Sequence, residues 1–569
     1  MPRVFFHGHQ KELEVPAGTS VLDAARRAGI SMESPCNREG TCGKCRVIVH
    51  GVDGEAVRNG QGGHILSAAD QAAGFVLGCQ AYIHGDVRVE LPGTTNSGLS
   101  IITEGKCRDF ELNPWIQKKI DPIHNLTYVT AGGQLLETEY GDTTATLYGA
   151  AIDLGTTTLV VSLVDLKTGN ETASVSTLNP QALHAQDVLS RIKISSTEEG
   201  MAVLQGELIR ELDRMIGELS ESEKIDRTSI YEVILSGNTT MLTIAAGRSP
   251  SSLGKYPYGV EFETGRSYPA VDIGLHVAEK GSVWFPPVAS AYVGADIISG
   301  VVAADLSRLK GLSLFVDIGT NGEMVLSRDG KMTATSTAAG PAFEGMNISS
   351  GMRAASGAIE RVLLVNGRVD IQVISGTTPV GLCGSGLLDA VAELARAGIA
   401  DGNGRLAKPG SEVFEKWRHH LEVVEGRTRF RLAEKVTLSQ QDIRQVQLAK
   451  AAIRAGMDML LKSCSVSPEE IDRVFIAGSF GKHLKVSSLV TLGLIPESVA
   501  ERVEFLGNTS SSGAVAFLLD RRLRDEAASI VDGMVVLELS REPVFEQIFI
   551  KALAFPQAAE QQKERVDDI

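Results

Sequence analysis

The chain has 569 residues, 43% hydrophobic and 22% charged, and its 70 Asp and Glu outweigh 55 Lys and Arg to leave a net charge of −15. This is a globular composition with room for three or four domains of ~150 residues each, which excludes a wholly disordered chain. The acidic balance argues against a nucleic-acid or anionic-membrane binder, which needs a basic face, and no apolar run approaches the ~20 residues of a membrane span.

Met1 to Gly8 lacks a charged stretch followed by a long apolar one, so it does not read as a signal peptide, and the expected location is cytoplasmic. Val4 to His7 and Glu12 to Val15 alternate like the strands of a hairpin. Ser20 is placed to cap a helix whose face is Val21, Leu22, Ala25 and Ala28, with Gly29 as its stop. Cys45 to Val49 and Asp86 to Glu90 are strand-like. Short strands around one helix predict a β-grasp domain over residues 1–92.

Four of the seven cysteines fall in that domain, as Cys36, Cys42, Cys45 and Cys79. An odd cysteine total in an unexported chain points to a metal rather than to a disulfide framework. Three thiolates spaced C-x5-C-x2-C wrap one loop, Gly40 and Gly43 let its amides turn inward, and the fourth arrives from a separate segment. A structural zinc site is the alternative, but it usually pairs two C-x2-C knuckles. The pattern favours a [2Fe–2S] cluster and has one residue more than the plant-type spacing. It resembles the ferredoxins that serve hydroxylases and the ferredoxin domains of corrinoid activators. Cys107, Cys383 and Cys464 read as buried or inert thiols.

Residues 93–147 read as a linker. Gly93 to Gly98 is a flexible connector by composition. Asn113-Pro114 predicts the start of a short helix that Pro122 ends. Trp115 is expected to anchor the segment by packing.

The rest of the chain carries a duplication. Ala151-Ile152-Asp153-Leu154-Gly155-Thr156-Thr157-Thr158 is echoed by Phe315-Val316-Asp317-Ile318-Gly319-Thr320-Asn321-Gly322-Glu323, and the two Asp lie 164 residues apart. Val233 to Thr240 is echoed by Val474 to Gly481, with the larger offset of 241 between Gly237 and Gly478. The second lobe therefore holds an insertion, expected within 355–440. Two α/β lobes are predicted, at 148–308 and 309–555, followed by a polar tail at 556–569.

Paired Asp-x-Gly-Thr turns suit phosphate. Glycine lets backbone amides approach an anion, Thr hydroxyls add donors, and an Asp at each strand end can hold Mg²⁺. One such turn alone is weak evidence; two at equivalent places in duplicated lobes favour nucleotide binding over a purely structural pair. Gly381 to Leu387 is either a phosphate cradle at a helix start or a close-packed crossover. Asn179-Pro180-Gln181 and Gln186 to Ile192 are expected to flank the interlobe cleft. His184 and His483 can touch a ligand or be ordinary surface histidines.

The large region resembles the actin, sugar-kinase and heat-shock-chaperone ATPases. That resemblance implies a first phosphate motif with Asp153, Gly155, Thr156 and Thr157, and a second with Asp317, Gly319, Thr320, Asn321 and Gly322. It implies an adenosine motif with Gly478, Ser479 and Gly481, and a closing helix opened by Gly507 to Ala514. Glu323 is either a water-activating carboxylate or an ordinary one at a strand edge. Taken whole, the chain resembles the reductive activators of corrinoid proteins: a ferredoxin domain, a short linker and a duplicated two-lobed ATPase. The resemblance implies a [2Fe–2S] cluster, ATP and Mg²⁺, with ATP-dependent transfer of one electron to an inactive Co(II) corrinoid protein that restores Co(I). It also implies a homodimer and a low-potential electron donor upstream. Two other readings stand beside it: a small-molecule kinase with a fused redox sensor, and a nucleotide-switched interaction module.

Overall fold

The computed structural model describes residues 1–556 apart from Gly8, Gln10, Ser31, Glu33, 35–37, Glu39, 41–42, 52–55, 60–65, Ser67, 92–104, Asn366, Glu425 and 479–483. At the N-terminus β1 (Arg3–His7) and β2 (Lys11–Glu14) form the expected hairpin. The Ser20 hydroxyl accepts from the Asp23 amide at 3.1 Å and caps α1 (Val21–Arg27), which buries Val21, Leu22, Ala24 and Ala25. With β3 (Arg46–Gly51), β4 (Phe75–Leu77) and β5 (Val87–Glu90) the sheet runs β2-β1-β5-β3-β4, and β1 lies parallel to β5. A small sheet packed on one helix is the β-grasp arrangement, with its own core.

The linker departs from expectation. In place of a helix after Pro114 there is a three-stranded antiparallel sheet, β6 (Ile116–Asp121), β7 (Leu126–Ala131) and β8 (Gln134–Tyr140). Pro122 sits in the turn between the first two strands, where the Asp121 carboxylate accepts from the amides of Ile123 and His124 at 2.9 and 3.2 Å. The alternation that marks a strand is masked in β6 because its inward Lys118 side chain is only 3% exposed. Glu139 holds that ammonium at 2.7 Å, and it lies 5.1 Å from the centre of the Tyr231 ring. Trp115 does anchor the segment: the Arg524 guanidinium lies 5.2 Å from its ring and 4.8 Å from that of Trp284. Arg524 also pairs with the fully buried Glu232 at 2.8 Å. One cation is thus shared by two indoles and one desolvated carboxylate, which ties Trp115 to the first lobe.

The two lobes are built to one plan. In the first, β9 (Tyr148–Leu154), β10 (Thr158–Asp165), β11 (Glu171–Leu178), β12 (Ile230–Gly237) and β13 (Ser282–Phe285) run β11-β10-β9-β12-β13. This sheet carries the helices α2 (Glu198–Glu223) and α3 (Ala295–Ala303). In the second, β14 (Leu312–Ile318), β15 (Gly322–Arg328), β16 (Lys331–Thr337), β17 (Arg473–Ala477) and β18 (Val503–Gly507) run β16-β15-β14-β17-β18. In each lobe the central strand is antiparallel to the next in sequence and parallel to the strand of the second echo. β12 is buried at every position, as expected for a strand covered on both faces. The insertion lies between β16 and α5 (Gln440–Ser463). It comprises two small three-stranded sheets and α4 (Gly384–Arg396).

Two helices join the lobes. α6 (Thr509–Leu519) follows β18, yet it packs against α3, β9 and β12 of the first lobe. The contact is close: a Cβ on Gly513 would lie 2.3 Å from the Ser299 carbonyl oxygen. The chain segment before β6 crosses this junction. The Lys106 amide donates to the Leu506 carbonyl, that of Arg108 to Ala303 and that of Asn113 to Leu519, at 2.7 to 2.9 Å. The Arg108 side chain is 5% exposed and bridges Asp305 at the end of α3 to Glu526 in α7 (Arg522–Gly533).

Gly513→Val is expected to push α6 off α3 and cost about 1–3 kcal/mol or more. Gly206→Ala, on the side of α2 where nothing lies within 4 Å, is expected to be neutral or to stabilise by up to about 1 kcal/mol. Chemical denaturation of both variants checks the contrast.

Candidate functional site

Between the lobes lies a cavity of ≈ 370 Å³, within the usual range of small-ligand pockets. The duplication explains its lining. Asp153 and Asp317 are the last residues but one of β9 and β14, and the turns that follow bring Gly155, Thr156, Thr157, Gly319, Thr320 and Asn321 to the same cavity. Glu323 lines it from β15, directly paired with Asp317 across the sheet. Gly478 reaches it at the end of β17; Ser479 and Gly481, the other two adenosine-motif residues, lie outside the described residues, as does His483. Gly322 does not belong to the lining. It is buried in β15, where a Cβ would lie 2.8 Å from Ile453 of α5.

Each turn is held from behind. Asn179 donates to the Gly155 carbonyl at 2.9 Å, and Asn238 donates to the Thr156 hydroxyl at 3.0 Å. Arg191, fully buried, donates to the Thr156 carbonyl at 2.6 Å and to Gln181 at 3.0 Å. Burial lowers its pKa to about 9. The segments around Asn179 and Arg191 thus support the first turn rather than a cleft wall. In the second turn the Gly319 amide donates to the Asn321 carbonyl at 2.9 Å, and the Thr320 hydroxyl donates to Glu344. The Thr157 hydroxyl oxygen is buried without a hydrogen-bond partner, a donor left over for a ligand. The start of α4 also lines the cavity with Cys383, Gly384 and Ser385, as a cradle would. His184 instead meets Glu207 at 2.8 Å.

α6 supplies the polar partners of Asp153. Asn508 donates to one carboxylate oxygen and Ser510 to the other, both at 2.8 Å. Of the serine run in the first turn of α6, Ser510 turns to the cleft, while the Ser512 hydroxyl donates back to the Asn508 carbonyl at 3.0 Å. The residue missed in the sequence is Asp296, in the first turn of α3. Its motif, Gly294-Ala295-Asp296, has no duplicate, and only the folded structure brings it to Asp153 and Asp317.

Asp153, Asp296, Asp317 and Glu323 thus line one cavity, where water solvates them poorly. Burial, then the charges of Asp296 and Asp153, pushes Asp317 up to about 7. Burial, with Asp153 beside it, raises Asp296, and burial with Asp296 and Asp317 raises Glu323 well above the carboxylate range. Asp153 is also raised by burial, against the opposing hydrogen bonds of Ser510 and Asn508. The four carboxylates share the lining, but among the described residues no three acidic, His or Cys side chains stand close enough together to hold a metal ion by themselves, so a hard divalent cation here would keep water or ligand oxygens in its shell.

In the ferredoxin domain Cys45 and Cys79 are buried, with sulfurs 3.3 Å apart. That exceeds a disulfide bond of about 2.05 Å and approaches the roughly 3.7 Å of two thiolates on one tetrahedral metal with bonds of about 2.3 Å. The Cys79 amide points at the Cys45 sulfur at 3.5 Å. Gly40 and Gly43 have φ of +71° and +68°, the turn expected of them. Cys36 and Cys42 lie outside the described residues. The two described cysteines fit a cluster. Of the remaining thiols, Cys383 is buried, Cys464 half-buried and Cys107 exposed, so burial does not account for Cys107. No helix among the described residues is long and apolar enough to cross a membrane.

A carboxyl raised to about 7 keeps a proton that the unfolded chain has lost above about 4. The folded state binds more protons in that window, so stability falls as pH rises through it. Asp317→Asn is expected to raise the melting temperature of the ligand-free protein at pH 7.5, by about 2–4 °C for each kcal/mol relieved. Thermal scans of parent and variant at pH 5.5 and 7.5 check it.

Comparison with known proteins matches three family models in chain order. They are a 2Fe-2S iron-sulfur cluster binding domain at 4–84, the RACo middle region at 148–309, and the C-terminal domain of RACo, the ASKHA domain, at 311–567. The corrinoid activation enzyme RamQ of Eubacterium limosum is 28% identical over 97% of this chain and 99% of its own. A Methanosarcina barkeri reductase of the Co(II) methylated amine-specific corrinoid protein is 24% identical over 72% of this chain and 77% of its own. The solved structure of a reductive activator for corrinoid, iron-sulfur protein superposes with a TM-score of 0.73, at 31% identity, over 98% of this chain and 99% of that one. With ferredoxin domain, middle region and ATPase-type lobes in the same order along nearly the whole length, the chain belongs to the family of reductive activators of corrinoid proteins.

Proposed function

We propose that this protein couples ATP to the transfer of one electron onto an inactive Co(II) corrinoid protein, returning it to Co(I). The observation that carries the reading is the interlobe cavity, where two duplicated Asp-x-Gly-Thr turns and four crowded carboxylates meet in a chain that also pairs two buried thiols. The relatives named for corrinoid activation and reduction support the partner class.

In this reading Cys36, Cys42, Cys45 and Cys79 hold the [2Fe–2S] cluster, which supplies single electrons when bound. Asp153 and Asp317 hold Mg²⁺ largely through water, and Asp296 accepts from a bound water. Thr156, Thr157, Thr320 and the amides of Gly155, Gly319 and Asn321 take the phosphates. Glu323 orients the attacking water, and Gly478, Ser479 and Gly481 face the adenosine. Positioning and charge neutralisation are the chain's whole contribution to phosphoryl chemistry of this type. ATP is consumed because the reduction of Co(II) is unfavourable for ordinary donors. Residues 1–92 form the electron module, 148–308 and 309–555 the two lobes, and a low-potential donor reloads the module. The working unit is a homodimer in the cytoplasm.

An anaerobic optical assay tests the reading. Cluster-loaded protein, a chemical reductant and a panel of Co(II) corrinoid proteins are followed for Co(I) with and without Mg-ATP. Formation of Co(I) only with ATP is the expected result. A phosphorylated small molecule in place of Co(I) identifies a kinase, and binding of ATP with no turnover beside any partner identifies a switch.

Two variants separate the halves. Cys45→Ser is expected to lose Co(I) formation and the visible absorption of the cluster while still binding Mg-ATP. Asp317→Ala is expected to keep that absorption and lose ATP-dependent Co(I) formation by about 100-fold or more.

A further inference from the structure

The cavity's charges are lopsided. Among its described lining residues one is basic, Arg353, against Asp153, Asp296, Asp317, Glu323, Glu344 and Glu360. The Nε of Arg353 is buried without a hydrogen-bond partner. A desolvated guanidinium nitrogen with nothing to donate to is costly, and its natural complement is an oxyanion entering the cavity, since Arg is suited to planar, bidentate phosphate recognition.

The loop that carries Arg353 has a second contact. Two residues earlier, the Gly351 carbonyl accepts from the Lys44 ammonium of the ferredoxin domain at 3.1 Å. Lys44 stands between Cys42 and Cys45, in the cysteine loop itself. The stretch joining the two contacts is stiff. A Cβ on Gly351 would lie 2.1 Å from the Gly345 carbonyl oxygen, and one on Gly345 would lie 2.4 Å from that of Met352, so the loop is folded backbone on backbone. The Met352 amide donates to Leu382 at 2.8 Å, just before the start of α4 at the cavity. The Ser349 amide donates to Asp442 at 2.7 Å, in the first turn of α5.

We propose that Arg353 binds the terminal phosphates of the nucleotide and that its loop couples this contact to docking of the cysteine loop at Gly351. The inference rests on the nucleotide reading of the cavity. An anion that draws on Arg353 shifts a loop too tightly packed to bend between residues 351 and 353, and the Gly351 carbonyl moves with it. The ferredoxin domain thus senses the nucleotide through a hydrogen bond beside its own cysteines. By linkage, docking and nucleotide binding alter each other's affinity by the same factor.

Hydrogen exchange read by mass spectrometry, on the cluster-loaded full chain with and without a saturating non-hydrolysable ATP analogue and Mg²⁺, tests this beside calorimetric binding. In the parent the analogue is expected to change exchange both at 345–354 and at 43–46. Arg353→Gln is expected to weaken analogue binding about 10- to 100-fold and, at saturation, to lose both changes. Arg353→Lys is expected to recover part of the affinity. Lys44→Gln, with its cluster absorption verified, is expected to keep the change at 345–354 and lose that at 43–46. Arg353→Gln with parental affinity and a parental exchange response overturns the inference and leaves the nucleotide reading standing. Parental protein that binds no analogue overturns the nucleotide reading and the inference with it.

Discussion

Four carboxylates in one poorly hydrated cavity repel one another, and much of the rest of this protein exists to hold them there. Asp153 and Asp317 arrive by duplication, each at the end of the central strand of its lobe. Glu323 comes with the second copy, across the ladder from Asp317, and Asp296 comes from α3, which leans over the cleft. Burial raises all four pKa values, and repulsion between neighbours adds to it at Asp296, Asp317 and Glu323. The ligand-free molecule therefore carries an electrostatic cost at this cavity. Buried polar support limits this cost at Asp153 through Asn508 and Ser510, and a buried arginine stiffens the first turn from the rear.

The joint between the lobes follows from the same demand. α6 belongs to the second lobe by connection and to the first by packing, and its residues Asn508 to Ser510 reach Asp153 while Gly513 lies against Ser299 of α3. The segment before β6 is laid over that joint, with Arg108 tied to both sides. The chain that leads from the ferredoxin domain thus meets the lobes at their joint.

Much of this was legible in the sequence. Repeated motifs at two offsets implied two lobes and an insertion, because Asp-x-Gly-Thr turns are short and their chemistry is local. Cysteine spacing implied a metal loop for the same reason. What escaped depended on contacts remote in the chain. Asp296 has no partner motif, and its role appears only when α3 meets both turns. β6 hid because its inward lysine is neutralised by Glu139, which belongs to β8. Gly322 was assigned to the phosphate turn by analogy, and packing against Ile453 claims it instead.

The insertion carries one more consequence. Two lobes from one plan make a pseudo-twofold clamp, and such a clamp has no inherent front or back. Residues 338–439 are present in the second lobe only, and the Lys44 contact falls on Gly351, within them. Duplication supplied the jaws, and the unpaired stretch broke their equivalence. Broken symmetry is what gives a clamp of matching halves one distinct side, and it is on that side that the cysteine loop makes its contact.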